Sequence, residues 1–91
     1  MDGLGTRAIV DINQTANQFR SSIVMKAGSR IIDVKSILGL SFSLLGHDRY
    51  ELDIHGPDEE EARVAMLDVF HKHDLAAVLT ATKNEAGNEN E

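Results

Sequence analysis

No cysteine occurs among the 91 residues of the chain, there is a single proline, and aromatic residues make up only 4%. The lack of cysteine excludes disulfide bonds, thiolate nucleophiles and zinc sites with cysteine ligands. No apolar stretch approaches the roughly 20 residues that a membrane-spanning helix requires. A chain of this length buries one modest core, so we expect a single domain whose stability comes from packing.

Basic residues are also scarce: nine Lys and Arg stand against fifteen Asp and Glu, and the net charge is -6. The imbalance lies in residues 58–91, which contain three basic and nine acidic side chains. Without a basic cluster, the chain lacks the electrostatic features of a nucleic-acid-binding protein. Its first residues have neither the basic start nor the apolar core of a secretory signal, so we expect a cytoplasmic protein that does not contact membranes.

The first predicted element is an amphipathic helix over residues 7–19. Apolar residues recur there three or four positions apart, with polar residues between them, which gives the helix one buried face. These apolar residues are Ile9, Ile12, Ala16 and Phe19. The hydroxyl of Thr6 can accept a backbone N–H of the first turn, so Thr6 is the predicted N-cap.

A β-hairpin is predicted next. Residues 22–26 and 30–34 are rich in β-branched side chains, and the Ala-Gly-Ser segment at 27–29 suits a tight turn between two strands. We therefore expect these two strands to be antiparallel neighbours.

A short helix is predicted over residues 37–45, with Ser36 as its N-cap and Gly46 at its end. The segment contains more apolar residues than one face of a short helix can bury, so some of them should be exposed. We expect Leu40 and Leu44 to lie in the core.

Residues 49–55 alternate polar and apolar side chains, which is typical of a strand with one face on a core. The segment from Gly56 to Glu61 predicts a helix start, because Pro57 suits a first turn and acidic side chains favour the positive end of the helix dipole. The buried stripes of these two elements should comprise Tyr50, Leu52 and Ile54 on the strand, and Ala62, Ala65, Met66, Val69 and Phe70 on the helix.

The C-terminal part contains two further segments. β-branched residues in 76–82 favour a last strand, although the alanines there would also permit continued helix. Residues 84–91 have almost nothing to bury and are predicted to be a disordered acidic tail.

The order of these elements, together with three motifs, resembles the histidine phosphocarrier (HPr) family and its regulatory homologue in catabolite repression. Residues 34–40 (Val-Lys-Ser-Ile-Leu-Gly-Leu) are similar to the family's regulatory-serine motif, residues 56–62 to the start of its last helix, and residues 14–16 to a stretch of its first helix. The resemblance implies an α/β fold: an HPr-like two-layer open-faced sandwich with three helices on a mostly antiparallel sheet, in one domain over residues 1–83.

The sequence departs from the family at the phosphorylation site. An ungapped match through residues 14–16 puts Gly5 at the position of the family's phosphate-accepting histidine, Arg7 at its arginine and Ala8 at its proline. Glycine has no side chain to phosphorylate, so this departure removes the carrier chemistry.

A second departure is that no residues are present to form the family's first strand. We expect the C-terminal segment 76–82 to take its place beside residues 49–55. Because a helix connects the two segments, the replacement strand should run parallel to its neighbour.

The resemblance implies a regulatory phosphorylation site at Ser36 and partner contacts through Ile37, Leu38 and Ser41. Arg7 is a candidate anion-binding residue, with a solvated surface arginine as the alternative. The histidines include no pair four residues apart on a helix, so we predict no metal site. His47 is assigned no catalysis, and no catalytic residue or cofactor is predicted.

The predicted function is a non-catalytic regulatory or adaptor module related to sugar phosphotransferase signalling. The resemblance implies protein partners such as an HPr-type kinase or a transcriptional regulator. Two alternatives remain open: a phosphocarrier component of the phosphotransferase system, against which Gly5 argues, and a homodimerising structural module.

Overall fold

Three helices cover one face of a four-stranded sheet in the computed structural model, which describes residues 3–43 and 49–80. The elements in chain order are α1 (Gly3–Ala16), β1 (Ser22–Ala27), β2 (Arg30–Asp33), α2 (Ile37–Ser43), β3 (Tyr50–His55), α3 (Glu59–Lys72) and β4 (Ala77–Leu79). This arrangement confirms the predicted two-layer α/β sandwich.

The sheet has the strand order β2-β1-β3-β4, and its first two pairings are antiparallel. The β1–β2 hairpin turns at Gly28, whose positive φ of 63° is readily adopted by glycine. Ile23, Met25 and Ala27 of β1 alternate toward the helices and are buried. The predicted hairpin is therefore confirmed, and its inward residues form the centre of the sheet.

The strand β4 lies beside β3 and runs parallel to it, with Tyr50 opposite Ala77 and Leu52 opposite Leu79. The Tyr50 N–H donates to the Ala76 carbonyl at 2.9 Å, and the Thr80 N–H donates to the Leu52 carbonyl at 2.8 Å. The helix α3 forms the crossover that parallel neighbours require. The predicted C-terminal strand and its direction are confirmed, although its last two predicted residues lie outside the described part of the chain.

The core lies between the sheet and the helices α1 and α3. The ring centroids of Tyr50 and Phe70 are 5.8 Å apart and the rings are tilted by 53°, an edge-to-face type of contact that joins β3 to α3. The other large buried side chains are Ile12, Ile23, Met25, Val34, Leu40, Leu52 and Met66. As predicted, Leu40 is in the core, whereas the side chain of Leu44 is among those not described.

The predicted N-terminus of the first helix is wrong, because α1 already begins at Gly3 and Thr6 lies inside it. Ala8, Ile12 and Ala16 are each buried, and their spacing of four keeps one face of the helix on the core. This packing outweighs the low helix propensity of two early glycines. The helix ends at Ala16, so the partly buried Phe19 packs against the core from the following turn.

The start of α3 also differs from the prediction, since the helix begins at Glu59 and Pro57 precedes its N-cap residue Asp58. The Asp58 carboxylate does not cap the helix. Its Oδ1 accepts the backbone N–H and the hydroxyl of Ser21, at 2.9 and 2.5 Å, and its Oδ2 accepts the N–H of Arg20 at 2.9 Å. Asp58 thus fastens the α3 N-terminus to the turn before β1.

The backbones of Gly56 and Ser21 approach each other closely at this junction. Gly56 has a φ of 149°, and a Cβ placed on it would lie 2.6 Å from Cα of Ser21. Only glycine combines that conformation with that contact. The Gly56 N–H donates to Glu59 Oε1 at 2.9 Å, which orients the first residue of α3.

Some expectations concern residues that the structure does not describe. The end of the short helix at Gly46, the turn with His47 and the tail over 84–91 all lie outside residues 3–43 and 49–80. Within those two ranges, no helix has the length and apolar character needed to cross a membrane.

Asp58 and Glu59 predict a loss of stability in acid. Hydrogen bonds, first that from the Ser21 hydroxyl, hold the pKa of Asp58 below its ordinary 3.8, and the Gly56 N–H holds the pKa of Glu59 below its ordinary 4.5. A carboxyl group with a lowered folded-state pKa stabilises the fold above its ordinary pKa, and that stabilisation is lost as the pH falls through the lower value. The urea midpoint should hold from pH 7 to about 5 and fall below about pH 4.

The matched variants for this measurement are Asp58→Asn and Asp68→Asn. Asp58→Asn should lower the urea midpoint at pH 7 and reduce its decline in acid. Asp68 is exposed and accepts none of these bonds, so Asp68→Asn should change neither. An acid decline of the same size in Asp58→Asn and in the wild type would contradict this assignment.

Candidate functional site

Ser36 occupies the N-cap of α2, as predicted. Its Oγ accepts the backbone N–H of Gly39 at 3.3 Å, and its carbonyl accepts the N–H of Leu40 at 3.1 Å. Its own N–H donates to the Asp33 carbonyl at 2.9 Å, while Asp33 Oδ1 accepts the Lys35 N–H at 3.0 Å. The side chain of Ser36 is exposed, so its hydroxyl is accessible at the start of the helix.

The segment before Ser36 is held by α1 and the turn that follows it. The Nδ2 of Asn13 donates to the Val34 carbonyl at 3.2 Å, and the Nδ2 of Asn17 donates to the Lys35 carbonyl at 3.3 Å. The Lys35 ammonium donates to the Phe19 carbonyl at 2.7 Å. Three polar side chains therefore fix the backbone that presents Ser36.

Two apolar side chains beside Ser36 face solvent: Ile37 is 46% exposed and Leu38 is 70% exposed. Ser41 is exposed too, although its hydroxyl donates to the Ile37 carbonyl at 2.7 Å. The structure brings these four residues together, and we call Ser36, Ile37, Leu38 and Ser41 the Ser36 surface.

The opposite side of α2 packs closely on β2. A Cβ placed on Gly39 would lie 3.0 Å from Cγ2 of Ile32. Because Ile32 and Leu40 are both buried, this contact fixes which side of α2 faces the core. The Ser36 surface is therefore the outward side of a helix that is anchored by packing.

Gly5 and Arg7 lie within α1 and belong to a different part of the molecule from the Ser36 surface. Asn13, which contacts the segment before Ser36, is six residues beyond Arg7, or about 9 Å along the helix axis. Arg7 is exposed and makes no ion pair with the residues that the structure describes. The candidate anion-binding residue and the candidate phosphorylation site are thus not brought together.

His73 is a buried histidine that was not predicted from the sequence. The side chain of His73, at the C-cap of α3, is 5% exposed, and its Nε2 lies 2.8 Å from Oδ2 of Asp11 on α1. This hydrogen bond is the first cause of a lowered Asp11 pKa, and Lys72 Nζ lies 3.6 Å from the same oxygen. Phe70, a core residue one turn before His73, is the sequence signal for an inward histidine.

The other described histidines are exposed. His55 Nε2 lies 2.6 Å from Asp53 Oδ1 at the end of β3, and His71 is on the outer side of α3. No group of three or more metal-ligating side chains occurs within residues 3–43 and 49–80.

Comparison with known proteins places this geometry in a family. The family model for the HPr component of the phosphotransferase system, which describes its phosphorylation site, matches residues 1–72. The chain belongs to the HPr family. Phosphocarrier protein HPr of Cupriavidus necator is 38% identical over 66 residues, which cover 71% of this chain and 74% of that protein.

Solved structures of HPr-family proteins have the same fold. An HPr dimer from Thermoanaerobacter tengcongensis superposes with a TM-score of 0.68 at 30% identity, covering 72% of this chain and 77% of its own. The catabolite-repression protein Crh of Bacillus subtilis, described as a domain-swapped dimer, superposes with a TM-score of 0.66 at 25% identity, covering 74% and 78%. The strand β4 lies beyond the residues that the HPr family model matches.

The capping contact predicts a difference between two serines of the Ser36 surface. Ser36→Ala removes the acceptor for the Gly39 N–H and should lower the free energy of unfolding by about 1 kcal/mol. Ser41→Ala removes only a bond to the carbonyl four residues earlier, and its effect should stay within about 0.5 kcal/mol. Urea denaturation at pH 7 measures both. Equal effects would mean that the Ser36 hydroxyl does not stabilise α2.

Proposed function

We propose that this HPr-family chain carries no phosphate and acts as a regulatory or adaptor module of phosphotransferase signalling in the cytoplasm. The observation that carries the proposal is the position of Gly5. The ungapped match puts Gly5 where the family has its phosphate-accepting histidine, and α1 runs through this position without interruption. A glycine there offers no nucleophile for the phosphoryl group.

None of the described histidines is placed to substitute for the missing acceptor. His73 is buried, and its Nε2 is bonded to Asp11. Asp11 is itself six residues, or about 9 Å of helix, beyond Gly5. His55 ends β3 and His71 lines the groove beside β4, so neither faces α1. These placements support a role that does not involve carrying phosphate.

The Ser36 surface supports the regulatory part of the proposal. In this family a kinase uses ATP to phosphorylate the serine of the matching motif, and Ser36 presents an exposed hydroxyl at a fixed position. A phosphate there would add a charge of about -1.5 to -2 next to Ile37 and Leu38. It would weaken a partner that covers these residues with acidic groups and strengthen one that offers arginine, whose fork matches phosphate oxygens.

A homodimer is the second candidate. It is favoured by the HPr relative from Thermoanaerobacter tengcongensis and by Crh, both of which are described as dimers. In this reading the exposed Ile37 and Leu38 would lie in a subunit interface. A transcriptional regulator or an HPr-type kinase would then bind the dimer or compete with it.

The first test of the proposal is phosphoryl transfer. We expect no label on the purified chain after incubation with labelled phosphoenolpyruvate and enzyme I, because Gly5 replaces the acceptor. An authentic HPr in the same mixture is the positive control. The Gly5→His variant restores a histidine at the matched position, and it tests whether Gly5 alone prevents the transfer. Acid-labile phosphate on a histidine of the wild-type chain would show that it is a phosphocarrier after all.

The second test addresses the Ser36 surface. An HPr-type kinase with ATP should phosphorylate the wild type and Ser41→Ala but not Ser36→Ala, as read by mass spectrometry of the peptide. Leu38→Asp should abolish capture of the partners that the wild type retains. Val64→Asp is the matched control, because Val64 is also an exposed helical residue, at 63% against 70% for Leu38, but lies on α3.

Two results would count against this reading. The first is that the kinase leaves the wild type unmodified and the Leu38→Asp variant captures the same proteins as the wild type. The second is that the wild type elutes as a dimer and the Leu38→Asp variant elutes as a monomer. The second result would favour the homodimer.

A further inference from the structure

The turn formed by residues 34–36 connects β2 to α2 and belongs to neither element. The N–H groups of this turn are bonded to the sheet. The Val34 N–H donates to the Ile23 carbonyl of β1 at 3.0 Å, and the next two N–H groups donate to Asp33 of β2 at 3.0 and 2.9 Å. The backbone that leads to Ser36 is therefore held on one side by the two strands of the hairpin.

Two carbonyl groups of the turn are bonded to side chains at the end of α1 instead. Asn13 Nδ2 donates to the Val34 carbonyl at 3.2 Å. Asn17 Nδ2 donates to the Lys35 carbonyl at 3.3 Å and to the Asn13 carbonyl at 2.9 Å, and the second bond orients the Asn17 amide. Because residues four apart lie on the same side of a helix, the two amides reach consecutive carbonyls of the turn.

A third bond joins the turn to the segment that follows α1. Lys35 Nζ donates to the Phe19 carbonyl at 2.7 Å, and Phe19 is itself partly buried against the core. The Lys35 ammonium is therefore directed at the segment after α1, and it fastens the same stretch of backbone that Asn17 holds. The position of Ser36 thus depends on α1 as well as on the sheet.

We propose that Asn13 and Asn17 are positioning residues for the modification of Ser36, so that the end of α1 controls how readily a kinase phosphorylates this serine. The inference rests on the proposed function, in which Ser36 is the modified residue. A kinase has to hold the serine hydroxyl in one geometry, and a backbone that is already fixed lowers the entropy cost of reaching it. Loss of the amide bonds would raise that cost although neither asparagine touches the reacting atoms.

The Asn17 bond is placed so that its local effect can be separated from the stability of the whole fold. Asn17 is exposed, whereas the buried side of α1 carries Ile12 and Ala16. Removal of one exposed hydrogen bond leaves the packing of the core unchanged, so the global stability should change little. The same removal frees the backbone directly before Ser36. A local readout at α2 therefore reports the positioning, and the sheet reports the stability.

The first measurement is the rate at which an HPr-type kinase with ATP phosphorylates Ser36 in the full chain, read by mass spectrometry. In Asn17→Ala, kcat/KM should fall about fivefold, the factor that corresponds to one hydrogen bond. Asn13→Ala should change it in the same direction. The matched controls are Gln14→Ala and Gln18→Ala, because these glutamines are exposed neighbours whose side chains do not bond to the turn. Both controls should stay within about twofold of the wild type.

The second measurement is amide hydrogen exchange by NMR, which needs no kinase. The Gly39 N–H donates to Ser36 Oγ, so its exchange reports whether Ser36 keeps its place at the start of α2. In Asn17→Ala the Gly39 amide should exchange about fivefold faster, while the amides that pair β1 with β3 keep their wild-type rates. A loss of stability shared by the whole fold would instead speed exchange in the sheet as well.

Three outcomes would overturn the positioning role while the proposed function stands. These are equal phosphorylation rates in the wild type and Asn17→Ala, an equal fall of the rate in Gln18→Ala, and a Gly39 amide whose exchange is unchanged in both asparagine variants. A wild-type chain that the kinase leaves unmodified would contradict the proposed function, and the role in modification would fall with it. The two failures are therefore distinguished by the wild type alone.

Discussion

The antiparallel pairing of β1 with β3 is the interaction on which the rest of the structure depends. It joins Ser22–Lys26 to Glu51–His55, two segments about thirty residues apart in sequence. The hairpin and α2 are attached to one side of this pair, and α3 and β4 to the other. Because both central strands alternate their side chains, one face of the pair must be covered, and α1 and α3 cover it. The Asp58 contacts with Arg20 and Ser21 fasten the two halves again at the end of the same ladder.

Most elements of the fold could be predicted from local patterns in the sequence. Alternation predicted β3, β-branched residues and the Ala-Gly-Ser turn at 27–29 predicted the β1–β2 hairpin, and the hydroxyl of Ser36 marked the start of α2. The parallel direction of β4 followed from the helix that connects it to β3. These features depend on neighbours in sequence or on the topology of a connection, and both are readable from a single chain.

The features that could not be predicted involve contacts between distant residues. The Asp11–His73 pair joins positions 62 residues apart, and the Asp58–Ser21 contact joins positions 37 apart. The start of α1 at Gly3 was also missed, because residues 3–6 contain two glycines, which have low helix propensity. From the sequence, Asp58 was expected only to favour the positive end of the helix dipole together with the acidic residues that follow it. Its carboxylate instead satisfies three donors from another turn, a choice that only the packed structure determines.

The strand order determines how far apart the two ends of the sheet are and how strongly a charge at one end acts on the other. The strand β2, on which α2 packs, is separated from β4 by three strand spacings, or about 14 Å. Charges in water at physiological ionic strength are screened over about 8 Å. The interior between the ends is filled by packed side chains, which hold the distance between them. A charge placed at one end is therefore felt only weakly at the other, while the distance between them stays fixed. The fold therefore holds its two ends at a set spacing and with little electrostatic influence on each other.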